Sequence, residues 1–243
     1  MWLREMKRFL RARSRLVGSL AMPLLFLAFF AAGFSGVSFA GVGADYSSFL
    51  VPGIIGMAIL FSSTMAGISV LWDRQFGFLK EIMVAPVRRV FIALGRIAGS
   101  ATVALFQGVA ILLISVVFGF RPASIWGLAA AFVFMVLISA AFIGVGLIIA
   151  SRMRDMQGFG LIMNFLVFPL FFLSGALFPI SSLPAFAQPV CFADPLTYGV
   201  DGLRAALVGS SVFPLWVDFG VSIVIAAALV LLATFFFEKS DAV

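Results

Sequence analysis

Six apolar runs, at about 16–34, 49–71, 97–120, 125–150, 159–178 and 213–237, alternate with short polar intervals along the chain. Each holds the ~20 apolar residues that carry a helix across a ~30 Å hydrocarbon core. Ten-residue segments of alternating polarity, the mark of a membrane barrel, are not visible, so helices are the spanning element. The pattern predicts an all-α, polytopic membrane protein with six transmembrane helices, occupying residues 1–243 as one domain.

The polar intervals carry their own periodicity. In residues 1–15, Arg4, Lys7, Arg8, Arg11, Arg13 and Arg15 oppose Trp2, Leu3, Met6, Phe9 and Leu10, so an amphipathic helix lying on the anionic inner leaflet is expected. In 72–96, Phe76, Leu79, Ile82 and Met83 recur at helical steps. Asp73 stands where an acid favours a helix start, and Pro86 cannot continue a helix. A second short amphipathic helix therefore hangs between spans two and three. The interval 179–212 is small, Pro-rich and partly amphipathic, and predicts short helices on the opposite face.

Charge orients the array. Of the 16 Lys and Arg, all but Arg121 and Arg204 fall on the side of the N-terminus, so both termini are expected in the cytoplasm. Only 11% of the 243 residues are charged, against ~25% in a soluble domain. The +6 net charge thus reads as topology rather than nucleic-acid binding. The basic N-terminus lacks a small-residue cleavage site, so no removable signal peptide is expected.

The chemistry present is sparse. There is no His, one Cys (Cys191), and no Gly-rich loop ending in Lys-Ser or Lys-Thr around Lys7, Lys80 or Lys239. A membrane enzyme would need convergent acids, His or a nucleophile–base pair, and none is apparent. Within the spans, Gln107 and Asn164 are the amides at depth, with Ser62, Ser63, Thr64 and Ser139 as hydroxyls. Asp218 lies near the outer end of span six, whereas an ion carrier would keep its acid at mid-bilayer. Met57, Phe61, Gln107, Asn164, Phe168 and Phe172 are the candidate substrate path, with Met65 and Met163 as further apolar wall. Gly95 and Gly99 form a small-xxx-small pair suited to close helix packing, within the chain or across a dimer. Asp201 and Arg204 are expected to pair weakly.

Two stretches carry a family resemblance. The run FSSTMAGISVLWDRQFGFLKEIMVAPVRRVFIALGRIAGSATVALFQG, at 61–108, resembles the signature region of type-2 ABC exporter permeases. The run FFLSGALFPISSLPAFAQPVCFADPLTYGVDGLR, at 171–204, is similar to the outer-face element of the same family, nearest its daunorubicin-resistance and nodulation-factor export branches. The resemblance implies a homodimeric permease of the bacterial inner membrane that binds two copies of a separate ABC ATPase. ATP and Mg would sit on that partner, with no cofactor on this chain. Residues 2–15 would be an elbow helix and 72–89 a coupling helix, with Asp73, Arg74, Phe76, Leu79, Lys80, Glu81, Pro86, Arg88 and Arg89 meeting the ATPase. Asp194, Pro195, Tyr198 and Arg204 would belong to the outer-face element at 179–212, in structural roles. The cargo implied is an amphipathic, drug-like or lipid-like compound; a polysaccharide or glycolipid permease and a non-transporting scaffold subunit are the alternatives.

Overall fold

A computed structural model describes residues 1–34, 46–78 and 89–239, with backbone alone for 13–16 and 89. In chain order the helices are α1 (Trp2–Arg11), α2 (Arg13–Gly33), α3 (Tyr46–Thr64), α4 (Ile68–Gln75), α5 (Arg89–Val117), α6 (Ile125–Arg152), α7 (Met156–Leu173), α8 (Gln188–Ala193), α9 (Pro195–Val208) and α10 (Leu215–Lys239). Single 3₁₀ turns occupy Met65–Gly67 and Ile180–Ser182. The first of these joins α3 to α4, so Tyr46–Gln75 is one span of 30 residues. Among the described residues five helices are long and apolar enough to cross a membrane, and Val17–Gly33 is a shorter apolar one. The protein is all-helical with about six spans.

Local chemistry sets the boundaries. Ser124 caps α6 by accepting a hydrogen bond from the Gly127 amide at 2.9 Å. Asp155 caps α7 by accepting from the Gln157 and Gly158 amides, and Asp194 caps α9 ahead of Pro195 at its first position. Gly209, with φ of 82°, closes α9 in the left-handed conformation.

The α3 helix is the hub. It packs on α2, α5, α6 and α9 and is the most enclosed span, whereas α7 and α10 are the least buried. A Cβ on Gly67 would lie 2.3 Å from the Gly146 carbonyl oxygen, and one on Gly146 would lie 2.4 Å from that of Thr64. The α3–α4 span and α6 therefore touch backbone to backbone at the 3₁₀ turn. A second apolar cluster sits on the N-terminal face, where Leu71, Ile92, Ile97, Leu147, Phe159 and Phe237 bind the ends of five helices into one block.

Several expectations change. The interfacial helix stops at Arg11, and Ala12 turns the chain, so Arg13 and Arg15 belong to α2. The interval 72–96 is shorter than its charges suggest. Trp72–Gln75 are the end of α4, and Arg96 lies two turns inside α5. Asp73 occupies a last turn rather than a first one. The chain turns at Gly77, with φ of 76°, so no unbroken helix runs from Trp72 into the 79–88 segment.

Gly95 and Gly99 have a partner within the chain. A Cβ on Gly95 would meet Met1 at 3.2 Å, and one on Gly99 would meet Glu5 at 3.0 Å. The pair is the seat on which α1 lies against α5. Gly99→Leu overpacks that seat at a cost of about 1–3 kcal/mol. Amide hydrogen exchange in α1 is then expected to rise about tenfold, while exchange in α3 and α6 stays unchanged.

Candidate coupling junction and membrane cavity

Three elements meet where the 79–88 segment leaves and returns. Asp73, 5% exposed at the end of α4, accepts hydrogen bonds from Arg96 at 2.6 Å and, more shortly still, from Arg4 of α1. Arg96 is wholly enclosed and also donates to Ser69 Oγ at 3.0 Å. Ser69 in turn donates to the Ala66 carbonyl, at the centre of the 3₁₀ turn. One carboxylate thus holds two guanidiniums from different helices, and Arg96 has no water to fall back on. Arg74 donates to the Met153 carbonyl at 2.7 Å, tying α4 to the end of α6. On the outer side of α1, Trp2 donates to Thr102 Oγ1 at 3.0 Å and Arg8 stacks over Trp72 at 5.4 Å. The interfacial helix, the end of span two and the start of span three therefore form one unit.

Of the expected coupling residues, Asp73 and Arg74 are in this unit. Phe76 is exposed at the turn, 5.5 Å from Trp72. Leu79, Lys80, Glu81, Pro86 and Arg88 lie outside the described residues, and Arg89 opens the backbone of α5. Arg4, Ser69 and Arg96 were missed. The amphipathic arm repeats Arg with no sign of which copy turns inward, and Arg96 reads as a loop charge because it falls in the polar interval 72–96.

A cavity of about 250 Å³ lies at membrane depth between α2, α3, α5 and α7. Met57, Phe61, Gln107 and Phe168 of the expected substrate path line it together, with Met65 beside them. Asn164 and Phe172 do not; both are exposed, one turn to either side of Phe168 on α7, and Met163 is packed in the N-terminal cluster. The α2 wall of Gly18, Ser19, Met22 and Pro23 carries no chemistry that marks it in advance. The Gln107 amide, 4% exposed, and the hydroxyls of Ser19 and Ser62 are the polar groups of a mostly apolar chamber, the usual make-up of a small-molecule site.

The opposite face is tied by α9. Asp201 accepts from the amides of Val212 and Phe213 at 2.8 and 2.9 Å and meets Arg204 at 3.6 Å. The acid precedes the base by three residues, the favoured order on a helix, so the pair is better placed than expected. Arg204 also donates to the Gly175 carbonyl at 2.8 Å and covers the Phe49 ring at 3.9 Å. Burial lowers Arg204 to about 10, against the pull of Asp201. Burial likewise raises the Asp201 carboxyl, opposed by its two amide bonds and by Arg204. These contacts give Arg204 a bracing role between α9, α3 and the turn after α7.

Comparison with known proteins agrees with this architecture. Residues 1–208 match the ABC-2 type transporter family. The inner membrane transport permease YadH of Escherichia coli K12 is 27% identical over 236 residues, covering 95% of this chain and 90% of its own length. The putative transport permease ycf38 of Cyanophora paradoxa is 28% identical, with 92% and 81% covered. Nodulation protein J of Rhizobium leguminosarum bv. trifolii is 28% identical, with 83% and 77% covered. With its family match running from α1 through α9 and including the junction, this chain is a multi-pass inner-membrane protein that belongs to the ABC-2 type transporter family.

Proposed function

We propose that the chain is the membrane-spanning subunit of an ATP-driven exporter that moves an amphipathic, drug-like or lipid-like compound out of the cytoplasm. It works as a homodimer with two copies of a separate ABC ATPase, and both termini face the cytoplasm. The observation that carries this reading is the Arg4–Asp73–Arg96 unit. It fastens both ends of the 79–88 segment to α1 and, through Ser69, to the 3₁₀ turn of the central span. A push on that segment reaches the wall of the membrane cavity through rigid helices, without needing an unbroken coupling helix. The cavity, with Met and Phe walls and one amide, suits an apolar or amphipathic cargo better than an ion.

The test is co-purification of the ATPase with the full-length permease. Glu81→Ala and Arg88→Glu are each expected to reduce ATPase recovery at least tenfold while the permease keeps its thermal midpoint. Undiminished recovery with both variants favours a scaffold subunit and ends the exporter reading.

A further inference from the structure

Three hollows run in line from the N-terminal face to mid-membrane. The first is an open groove of about 750 Å³ between α1 and the end of α4, lined by Lys7, Arg8, Arg11, Trp72 and Phe76 among others. The second is a neck of about 40 Å³, with Glu5, Arg8, Ser69 and Ser100 on its walls. The third is the cavity that holds Gln107. Arg8 borders both groove and neck, and Ser62, Met65 and Val103 border both neck and cavity.

The three differ in electrical character. In the groove, Arg4 and Asp73 are joined to each other. Among the described residues no ion pair engages Lys7, Arg8 or Arg11, so the mouth keeps a surplus of cations. The cavity beyond is mostly apolar. A ligand that satisfies both has an anionic head and an apolar tail. A cationic amphiphile would be repelled at the mouth, and a neutral one would leave its charges unused. The Glu5 carboxylate in the neck stops an anionic head from going deeper. From Trp72 to Met57 is 15 residues of near-continuous helix, roughly 22 Å at 1.5 Å per residue, enough for a long acyl chain.

The neck decides whether the tail enters. At about 40 Å³, against about 750 and 250 Å³ for the hollows on either side, it is the constriction on the way to the cavity. One wall of the neck is α1, resting on Gly95 and Gly99 and latched to Asp73 through Arg4. Release of the Arg4–Asp73 contact would free α1 to lift from this seat and widen the neck.

We propose that groove, neck and cavity are the loading site for an anionic, single-tailed amphiphile of the inner leaflet, with its head in the groove, its tail in the cavity and α1 as the gate. This rests on the exporter reading and specifies its cargo.

The experiment uses the full chain in phosphatidylcholine nanodiscs, with 11-(dansylamino)undecanoic acid as the fluorescent probe. Saturable binding above that of empty discs is expected, displaced by dodecyl phosphate and not by dodecyltrimethylammonium or by the probe's methyl ester. Lys7→Gln with Arg11→Gln is expected to weaken binding about thirtyfold, at about 1 kcal/mol per cation near the bilayer surface. A diazirine at the tail end of a matching fatty acid is expected to label Met57 or Gln107, and Val103→Trp to remove that label while the protein keeps its elution profile. Equal binding of the ester or the ammonium compound overturns the proposal. So does an unchanged affinity in the double variant, or labelling confined to lipid-facing Leu161 and Phe165. Retained ATPase co-purification alongside such a failure leaves the exporter in place with a different cargo.

Discussion

Asp73→Ala is expected to lower the thermal midpoint in detergent by about 10 °C. The substitution strands Arg96, which is wholly enclosed, without its counter-charge. Breaking a buried pair from one side costs about 3–5 kcal/mol, and each kcal/mol is worth about 2–4 °C in a chain of this size. Arg4 adds little to the loss because its side chain is 39% exposed and can turn to water. The double variant Asp73→Ala with Arg96→Leu removes the stranded charge and is expected to recover most of the midpoint. A midpoint within 2 °C of wild type for the single variant would mean that the cluster contributes nothing to the fold.

The second large effect is a pH dependence from Asp194. Its carboxyl is 4% exposed; Oδ1 accepts from the Leu196 amide at 2.9 Å, and Oδ2 is buried with no hydrogen-bond partner. Burial pushes it from an ordinary 3.8 up to about 7, opposed by the Leu196 amide. The folded state therefore holds a proton that the unfolded chain has already released between about pH 4 and 7. Stability from this residue is full below pH 4, falls as pH rises to about 7, and is level above. At 1.36 kcal/mol per pH unit the loss is ~4 kcal/mol. Asn caps a helix as well as Asp and carries no charge. Asp194→Asn is thus expected to match wild type at pH 4 and exceed it at pH 8 by several degrees in thermal midpoint. Asp201, also raised by burial, leaves a smaller slope of the same sign in the variant. Parallel profiles for the two proteins between pH 4 and 8 would show that Asp194 is not the titrating group.

Much of this architecture is legible in hydropathy alone. The apolar runs and the break before residue 125 depend on local composition, and α6 begins at Ile125 as the pattern predicts. Reading failed where charge is used inside the protein. Asp73 and Arg96 look like solvated loop residues because a sequence scan treats every charge as wet; each is tolerable in a helix interior because the other is there. Gly95 and Gly99 announce a close approach but not what approaches, and it is α1 that does. The cavity was half legible for a related reason. Phe159, Met163, Val167 and Phe171 turn into the bundle at four-residue steps. Asn164, Phe168 and Phe172 form the neighbouring stripe, and of these Phe168 alone reaches the chamber. Which stripe of an apolar helix turns inward is decided by its neighbours, which no local pattern contains.

The fully enclosed thiol of Cys191 has a practical consequence. The chain has no other cysteine, so the native protein is silent towards aqueous maleimide. A reporter cysteine at Phe78 or at Ser181 would be read against an empty background, without first stripping the wild-type chain. Which of the two is modified in sealed, right-side-out vesicles fixes the sidedness on which the direction of pumping turns.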